Sequence, residues 1–174
     1  HFPDIPPARA RATMLRMKPR IYVETSVISY LAARPSADAI SATRQHFSFQ
    51  LWQRRETMAL LISEAVVTEA AMGDGVAAQT RLTYCDALSL VAMPDGVDAV
   101  VQHLLRSKAL PAKAFTDAVH IAVAALHEIE FIASWNFRHI ACALPRRNIE
   151  YALAALGVSV PTIATPEEIL ESFK

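Results

Sequence analysis

Three carboxylates stand where chemistry is possible: Glu24, Glu69 and Asp117. Glu24 directly follows the apolar run Ile21-Tyr22-Val23. Glu69 is set among Val66, Val67, Ala70 and Ala71. Asp117 opens an alanine-rich stretch that reaches Ala125. A neutral amide, Asn136, follows the apolar segment Phe131–Ser134. A carboxylate withdrawn from water costs several kcal/mol unless a cation or hydrogen bonds compensate it. Glu69 alone reads as an ordinary exposed helix residue. Three acids at converging positions instead suggest an oxygen-ligand site for Mg²⁺ or Mn²⁺. No His pair or Cys cluster favours zinc. A divalent cation held by carboxylates is a device for phosphoryl transfer, since it activates water and neutralises charge on the phosphate. Without the cation, crowding should raise at least one of the three pKa values.

The elements that must position these groups follow from periodicity. A strand is predicted at Arg20–Glu24, followed by a helix from Thr25-Ser26 and a long helix over Ala37–Arg55. Met58–Ile62 reads as a second strand, then a helix capped by Ser63 and ending at Met72, before Gly73. Further helices are predicted at Asp74–Ala87, Gly96–Leu110, Ala114–Ile129, Arg146–Leu156 and Glu167–Phe173, and strands at Leu88–Met93, Phe131–Trp135 and Val160–Ala164. The strongest pattern is Ala118, Ile121, Ala122, Ala125 and Leu126, a helical i, i+3, i+4, i+7, i+8 series. Short apolar strands alternating with helices imply an α/β fold with a parallel sheet covered on both faces. In such a fold, ligands bind at the carboxyl ends of the strands, which is where Glu24 and Asn136 are placed.

Composition narrows the classes. The chain has 174 residues, 53% hydrophobic and 20% charged, with 17 basic and 17 acidic groups. That is too apolar and too neutral for a disordered chain. A net charge of zero also speaks against a protein that coats DNA. Two cysteines, Cys85 and Cys142, form neither a disulfide scaffold nor a CxxC pair, and a reducing cytoplasm is the expected compartment. No apolar run approaches the roughly 18 residues of a membrane helix. Residues 1–16 are expected to be an N-terminal extension, disordered or a non-native start, and 17–174 a single domain. That extension carries Arg9, Arg11 and Arg16 against Asp4, so the domain proper is slightly acidic.

The same residues carry a family resemblance. Arg20-Ile-Tyr-Val-Glu-Thr-Ser-Val-Ile-Ser-Tyr-Leu31 resembles the opening strand and helix of PIN-domain nucleases, specifically VapC-like toxins of type II toxin–antitoxin systems. The similarity continues through Ile62-Ser63-Glu64 to Glu69 and Gly73-Asp74. It resumes at Pro111-Ala-Lys-Ala-Phe-Thr-Asp-Ala-Val-His-Ile-Ala122, and again at Ser134-Trp-Asn-Phe-Arg-His-Ile140 and Pro161–Pro166. Each motif alone is weak; their order and spacing together are specific. The resemblance implies a PIN-like three-layer α/β/α sandwich with a parallel sheet of about five strands. It implies a Mg²⁺- or Mn²⁺-dependent endoribonuclease, with Glu24, Glu69 and Asp117 as the first three acids and metal ligands. Asn136 matches a position where many members carry a fourth acid, and Ser26 and Ser134 match small polar supports. A cognate antitoxin protein and a homodimer are implied as partners. The long helix with Phe47, Phe49, Leu51 and Trp52 is a surface for either, although core packing explains most of it.

Two departures from the pattern bear on chemistry. The first acid is Glu24 where Asp is usual, which lengthens the reach of the carboxylate. Asn136 can ligate or orient water through its oxygen but supplies no charge, which favours one tightly held metal over two. The surrounding polar residues have bland readings beside functional ones. Lys113, Arg138 and His139 are candidate phosphate contacts, or solvated loop charges. His120 lies one turn after Asp117 and reads more readily as a core histidine than as a substrate contact. Trp135 could stack a base, but packing explains it better. Gly73-Asp-Gly75-Val-Ala-Ala78 fits a dinucleotide fingerprint, yet the segment before it reads as helix where that motif needs a strand. The alternative to an active nuclease is a catalytically weak PIN domain that mainly binds RNA or a partner.

Overall fold

Every residue of β1 (Arg20–Val23) after the first is buried, as a central parallel strand requires. β1 pairs in parallel with β2 (Ala59–Ser63) on one side and β4 (Phe131–Ala133) on the other. β3 (Ser89–Val91) extends the sheet beyond β2, and β5 (Thr162–Ala164) beyond β4. The order β3-β2-β1-β4-β5 is that of a five-stranded, wholly parallel sheet. This computed structural model describes residues 18–174, so the expected extension at residues 1–16 lies outside the described residues.

Eight α-helices flank the sheet among the described residues: α1 (Thr25–Ala32), α2 (Ala39–Gln53), α3 (Glu64–Ala70), α4 (Gly75–Asp86), α5 (Val97–Arg106), α6 (Phe115–Leu126), α7 (Ala143–Leu156) and α8 (Pro166–Ser172). α6 is the core helix: Ala118, Ile121, Ala122, Val123, Ala124 and Ala125 are all buried. Alanine has little side-chain entropy to lose and lets neighbouring elements approach closely, so this helix can be buried nearly all round. α5 buries Val97, Val100, Val101 and Leu104, a single helical stripe, against α6.

Where boundaries differ from the sequence reading, local chemistry explains them. α2 starts later than predicted because the Asp38 side chain caps it, accepting from Ser41 N–H at 2.8 Å. α5 stops before Leu110 because Lys108 takes a left-handed conformation, φ 59°, and the Leu110 N–H turns back to the Leu104 carbonyl at 3.2 Å. α7 begins ahead of Arg146 because Pro145 falls in its first turn, where a missing N–H costs nothing. Asp74 caps α4, taking the Ala77 N–H at 2.9 Å, and follows a helix, so the glycine pair is a helix junction. No helix among the described residues is long and apolar enough to cross a membrane.

Candidate active site

The chain runs from β1 to β2 on one side and reaches β4 on the other. The topological switch point of the sheet therefore lies between β1 and β4, and in such folds ligands bind in the crevice outside the carboxyl ends of these strands. Glu24 occupies the first position after β1, and its N–H donates to the Ala133 carbonyl at 3.0 Å. Its side chain is almost wholly buried. One carboxylate oxygen, Oε2, accepts from the Ser134 hydroxyl at 2.8 Å and from the Ser26 hydroxyl. Ser26 Oγ in turn takes the Trp135 N–H at 2.8 Å, and Ser134 Oγ takes the Asn136 N–H at 2.9 Å. The two predicted supporting serines thus bind Glu24 to the segment that follows β4. Burial nonetheless pushes the Glu24 carboxyl pKa up, against the lowering effect of nearby His120 and the two serines.

Glu69 comes to the same place from α3. Its Oε2 accepts from the Thr25 hydroxyl at 2.5 Å and from His120 Nε2 at 2.8 Å. Burial alone would raise its pKa, but the bonds from His120 and Thr25 outweigh it and hold the carboxyl below its ordinary value. His120 is fully buried, as a core histidine would be, yet one of its two partners is this carboxylate. The other ring nitrogen, Nδ1, meets Tyr22 Oη at 2.8 Å, and Tyr22 Oη meets Ser63 Oγ at 2.6 Å. A single proton arrangement satisfies the whole row: Ser63 donates to Tyr22, Tyr22 to Nδ1, and Nε2–H to Glu69. Ser63 stands at the start of α3 but spends its hydroxyl on Tyr22 rather than on the helix cap.

Asp117 lies in the first turn of α6, one turn before His120. Its Oδ1 accepts from Asn136 Nδ2 at 2.8 Å and its Oδ2 meets His139 Nδ1 at 2.7 Å. The Asn136 amide oxygen takes the His139 N–H at 3.2 Å, and its backbone carbonyl takes the N–H groups of Ile140 and Ala141 at 3.1 and 2.8 Å. Asn136 therefore folds the loop into a turn and donates to Asp117, with its amide oxygen engaged by the backbone. This explains a neutral residue there: an acid could not donate, and would bring a second negative charge against Asp117.

The structure gathers Glu24, Glu69 and His120, whose ligand atoms lie within 4.8 Å of one another. Asp117 is outside that set, held by Asn136 and His139. Among the described residues, no lysine or arginine pairs with any of the three acids. Two carboxylates drawn together, one of them buried and neither paired with a lysine or arginine among the described residues, fit a divalent metal ion, with His120 holding Glu69 in place. Lys113 and Arg138 are exposed and make no side-chain hydrogen bond among the described residues. Trp135 is buried and donates from Nε1 to Ser48 Oγ at 2.8 Å, which is a packing role. Tyr22, Ser63 and Thr25 were not read as site residues from the sequence, and Ser63 was expected only as a helix cap. The available signal was Tyr22, a hydroxyl in an otherwise apolar central strand that must find a partner.

Comparison with solved structures finds a similar protein, VapC20 of Mycobacterium tuberculosis, described as a sarcin-ricin loop cleaving toxin. The TM-score is 0.50 at 16% sequence identity, and the match covers 68% of this chain and 91% of that one. The fold is PIN-like. No family model matches the sequence, and none of the curated proteins does.

Proposed function

We propose that the protein is a metal-dependent endoribonuclease that hydrolyses RNA phosphodiester bonds, acting as the toxin of a toxin–antitoxin pair. One observation carries the reading. A buried carboxylate and two more acids lie at the sheet's switch point, and no lysine or arginine among the described residues pairs with them. The motif resemblance over most of the chain and the fold shared with a sarcin-ricin loop cleaving toxin support the same chemistry. Glu24 and Glu69 would hold the cation, with Asp117 as the third acid of the site. A bound Mg²⁺ or Mn²⁺ would supply Lewis-acid stabilisation of the phosphate and a more acidic water.

The chain's own groups set the geometry. Ser26 and Ser134 fix one oxygen of Glu24 and leave the other unshared. His120 and Thr25 keep Glu69 ionised at neutral pH, able to orient the attacking water. Asn136 and His139 hold Asp117 from both oxygens. Lys113 and Arg138 would meet the RNA backbone as mobile surface charges. In the same reading a cognate antitoxin covers the acidic crevice, and the protein forms a homodimer in the cytoplasm. The deciding experiment is cleavage of RNA in Mg²⁺ or Mn²⁺, with Asp117→Asn as control. Cleavage that needs the cation and disappears in the variant supports the reading. RNA binding without cleavage by the wild type would favour the binding-module alternative.

A further inference from the structure

We infer that Arg44 and Phe137 form a nucleotide subsite beside the acidic crevice. Arg44 takes a backbone phosphate of single-stranded RNA, and Phe137 takes the face of the adjoining base. This rests on RNA being the substrate. Arg44 projects from α2 and belongs to no ion pair among the described residues. Its guanidinium lies over three rings, 5.2 Å from the centroid of Phe137, 5.7 Å from Tyr30 and 5.9 Å from Trp135. One of its five N–H groups is used, donated from Nη1 to Tyr30 Oη at 2.9 Å. An unpaired guanidinium seated on aromatic faces is pre-organised and retains N–H groups for an anion. The seat is firm, because Trp135 is buried and tied to Ser48.

Arg44, Trp135 and Phe137 line a surface pocket of about 300 Å³ together with Ala39, Ile40 and Thr43. Phe137 is 38% exposed, so a planar group can reach its ring. The pocket joins the crevice through covalent neighbours: Trp135 donates its N–H to Ser26, which holds Glu24, and Asn136 donates to Asp117. Trp135 and Phe137 flank Asn136 in the chain, so the pocket and the site share the segment that follows β4. Charge complementarity favours a nucleotide. The acidic site repels phosphate, and Arg44, unpaired among the described residues, offers the attraction that it lacks. Single strands are favoured because their unstacked bases can lie on an aromatic ring. The pocket is short, which suits one base better than a protein helix.

The test uses the full chain and a fluorescent single-stranded RNA dodecamer, with Ca²⁺ as the supporting ion and binding read by anisotropy. Arg44→Gln should weaken binding about fivefold and lower the slope of log affinity against log salt by about 0.7, one phosphate's worth on a single strand. Arg44→Lys should keep that slope. Phe137→Leu, which preserves apolar bulk at an exposed position, should weaken binding about five- to tenfold. On an all-abasic strand of the same length the Phe137→Leu deficit should vanish and the Arg44→Gln deficit remain. Wild-type affinity in both variants, with the wild type still cutting RNA in Mg²⁺ or Mn²⁺, overturns the subsite and leaves the nuclease reading standing. Variants that bind RNA normally but release a co-expressed protein partner also overturn it. If the wild type neither binds nor cuts RNA, both readings fall.

Discussion

The crevice contains two histidine–carboxylate pairs of nearly equal length, and they are built differently. His120 meets Glu69 at 2.8 Å and His139 meets Asp117 at 2.7 Å. The His120 side chain is 1% exposed and comes from the core helix, with both ring nitrogens bonded. The His139 side chain is 17% exposed and comes from a loop, and its Nε2 is enclosed without a partner. The first pair is one end of a row that crosses the sheet through Tyr22 to Ser63. The second is closed on itself by Asn136. One half of the site is thus fixed by the core and the other by a single turn of loop. In the proposed reading chemistry draws on both halves, whereas stability should depend mainly on the first.

Activity is the largest expected effect and should not discriminate between the halves. Glu24→Gln and Asp117→Asn should each reduce cation-dependent RNA cleavage by about 10³-fold or more, since removing one preorganised electrostatic group commonly costs about 10²–10³ and both also lose cation affinity. Initial rates on a labelled RNA would measure this. Substantial cleavage by Asp117→Asn would restrict the chemistry to the Glu24–Glu69 half. Stability should separate them. His120→Ala leaves Tyr22 and part of Glu69 unsatisfied in the core, and should cost about 2–4 kcal/mol in denaturant unfolding. His139→Ala relieves an already unpartnered nitrogen and should cost about 1 kcal/mol or less. Equal costs would show that the loop half is as integral to the fold as the core half.

The same contrast explains what the sequence disclosed. Each of the five strands and eight helices among the described residues was legible, because α6 and β1 carry strong apolar patterns and Asp74 marks a helix start, whereas the Asp38 and Thr165 caps were not read. Glu24, Glu69 and Asp117 were legible as charges misplaced in apolar surroundings. Their partners were not. Which carboxylate takes His120, and which takes His139, depends on α3 and α6 meeting across β1, and no spacing along the chain encodes that. Asn136 was visible as a missing acid. Its role as a donor to Asp117 needed the direction of its amide. Arg44, 91 positions before Trp135 with four α-helices and three strands between them, offered no signal at all for the aromatic seat.

The two glutamates of the core half should also part company in pH. Glu24 has a folded-state pKa above its ordinary value of 4.5, so the folded protein holds that proton more tightly than the unfolded chain. The metal-free protein should therefore lose stability as pH rises from about 4.5 through the folded value, and level off beyond it. Glu69 has the opposite shift from the same ordinary value of 4.5. Its contribution is present above that value and is lost as pH falls through the lowered one. Thermal melts across pH in EDTA should show both limbs. Glu24→Gln should flatten only the upper limb, and Glu69→Gln only the lower. An upper limb unchanged in Glu24→Gln would mean that the buried charge lies elsewhere.

A further effect concerns the loop half alone. Asn136→Asp would replace the Nδ2 donor that meets Asp117 at 2.8 Å with a carboxylate oxygen. The new oxygen can still accept the His139 N–H, so the turn should survive. What is lost is one hydrogen bond, and what is added is a like-charge contact in a partly solvated place. Together these should cost about 1–2 kcal/mol in the metal-free protein. One of the two acids should then keep a proton above the ordinary carboxylate range, which carbon-13 NMR of labelled aspartate would detect. A divalent cation should restore the lost stability and bind more tightly than in the wild type, because the site gains a formal charge where it had an amide. If calorimetry finds tighter binding, the loop half ligates the cation and both halves form one centre. If the cation neither binds more tightly nor restores stability, the ion belongs to Glu24 and Glu69, and Asp117 serves the substrate side of the crevice.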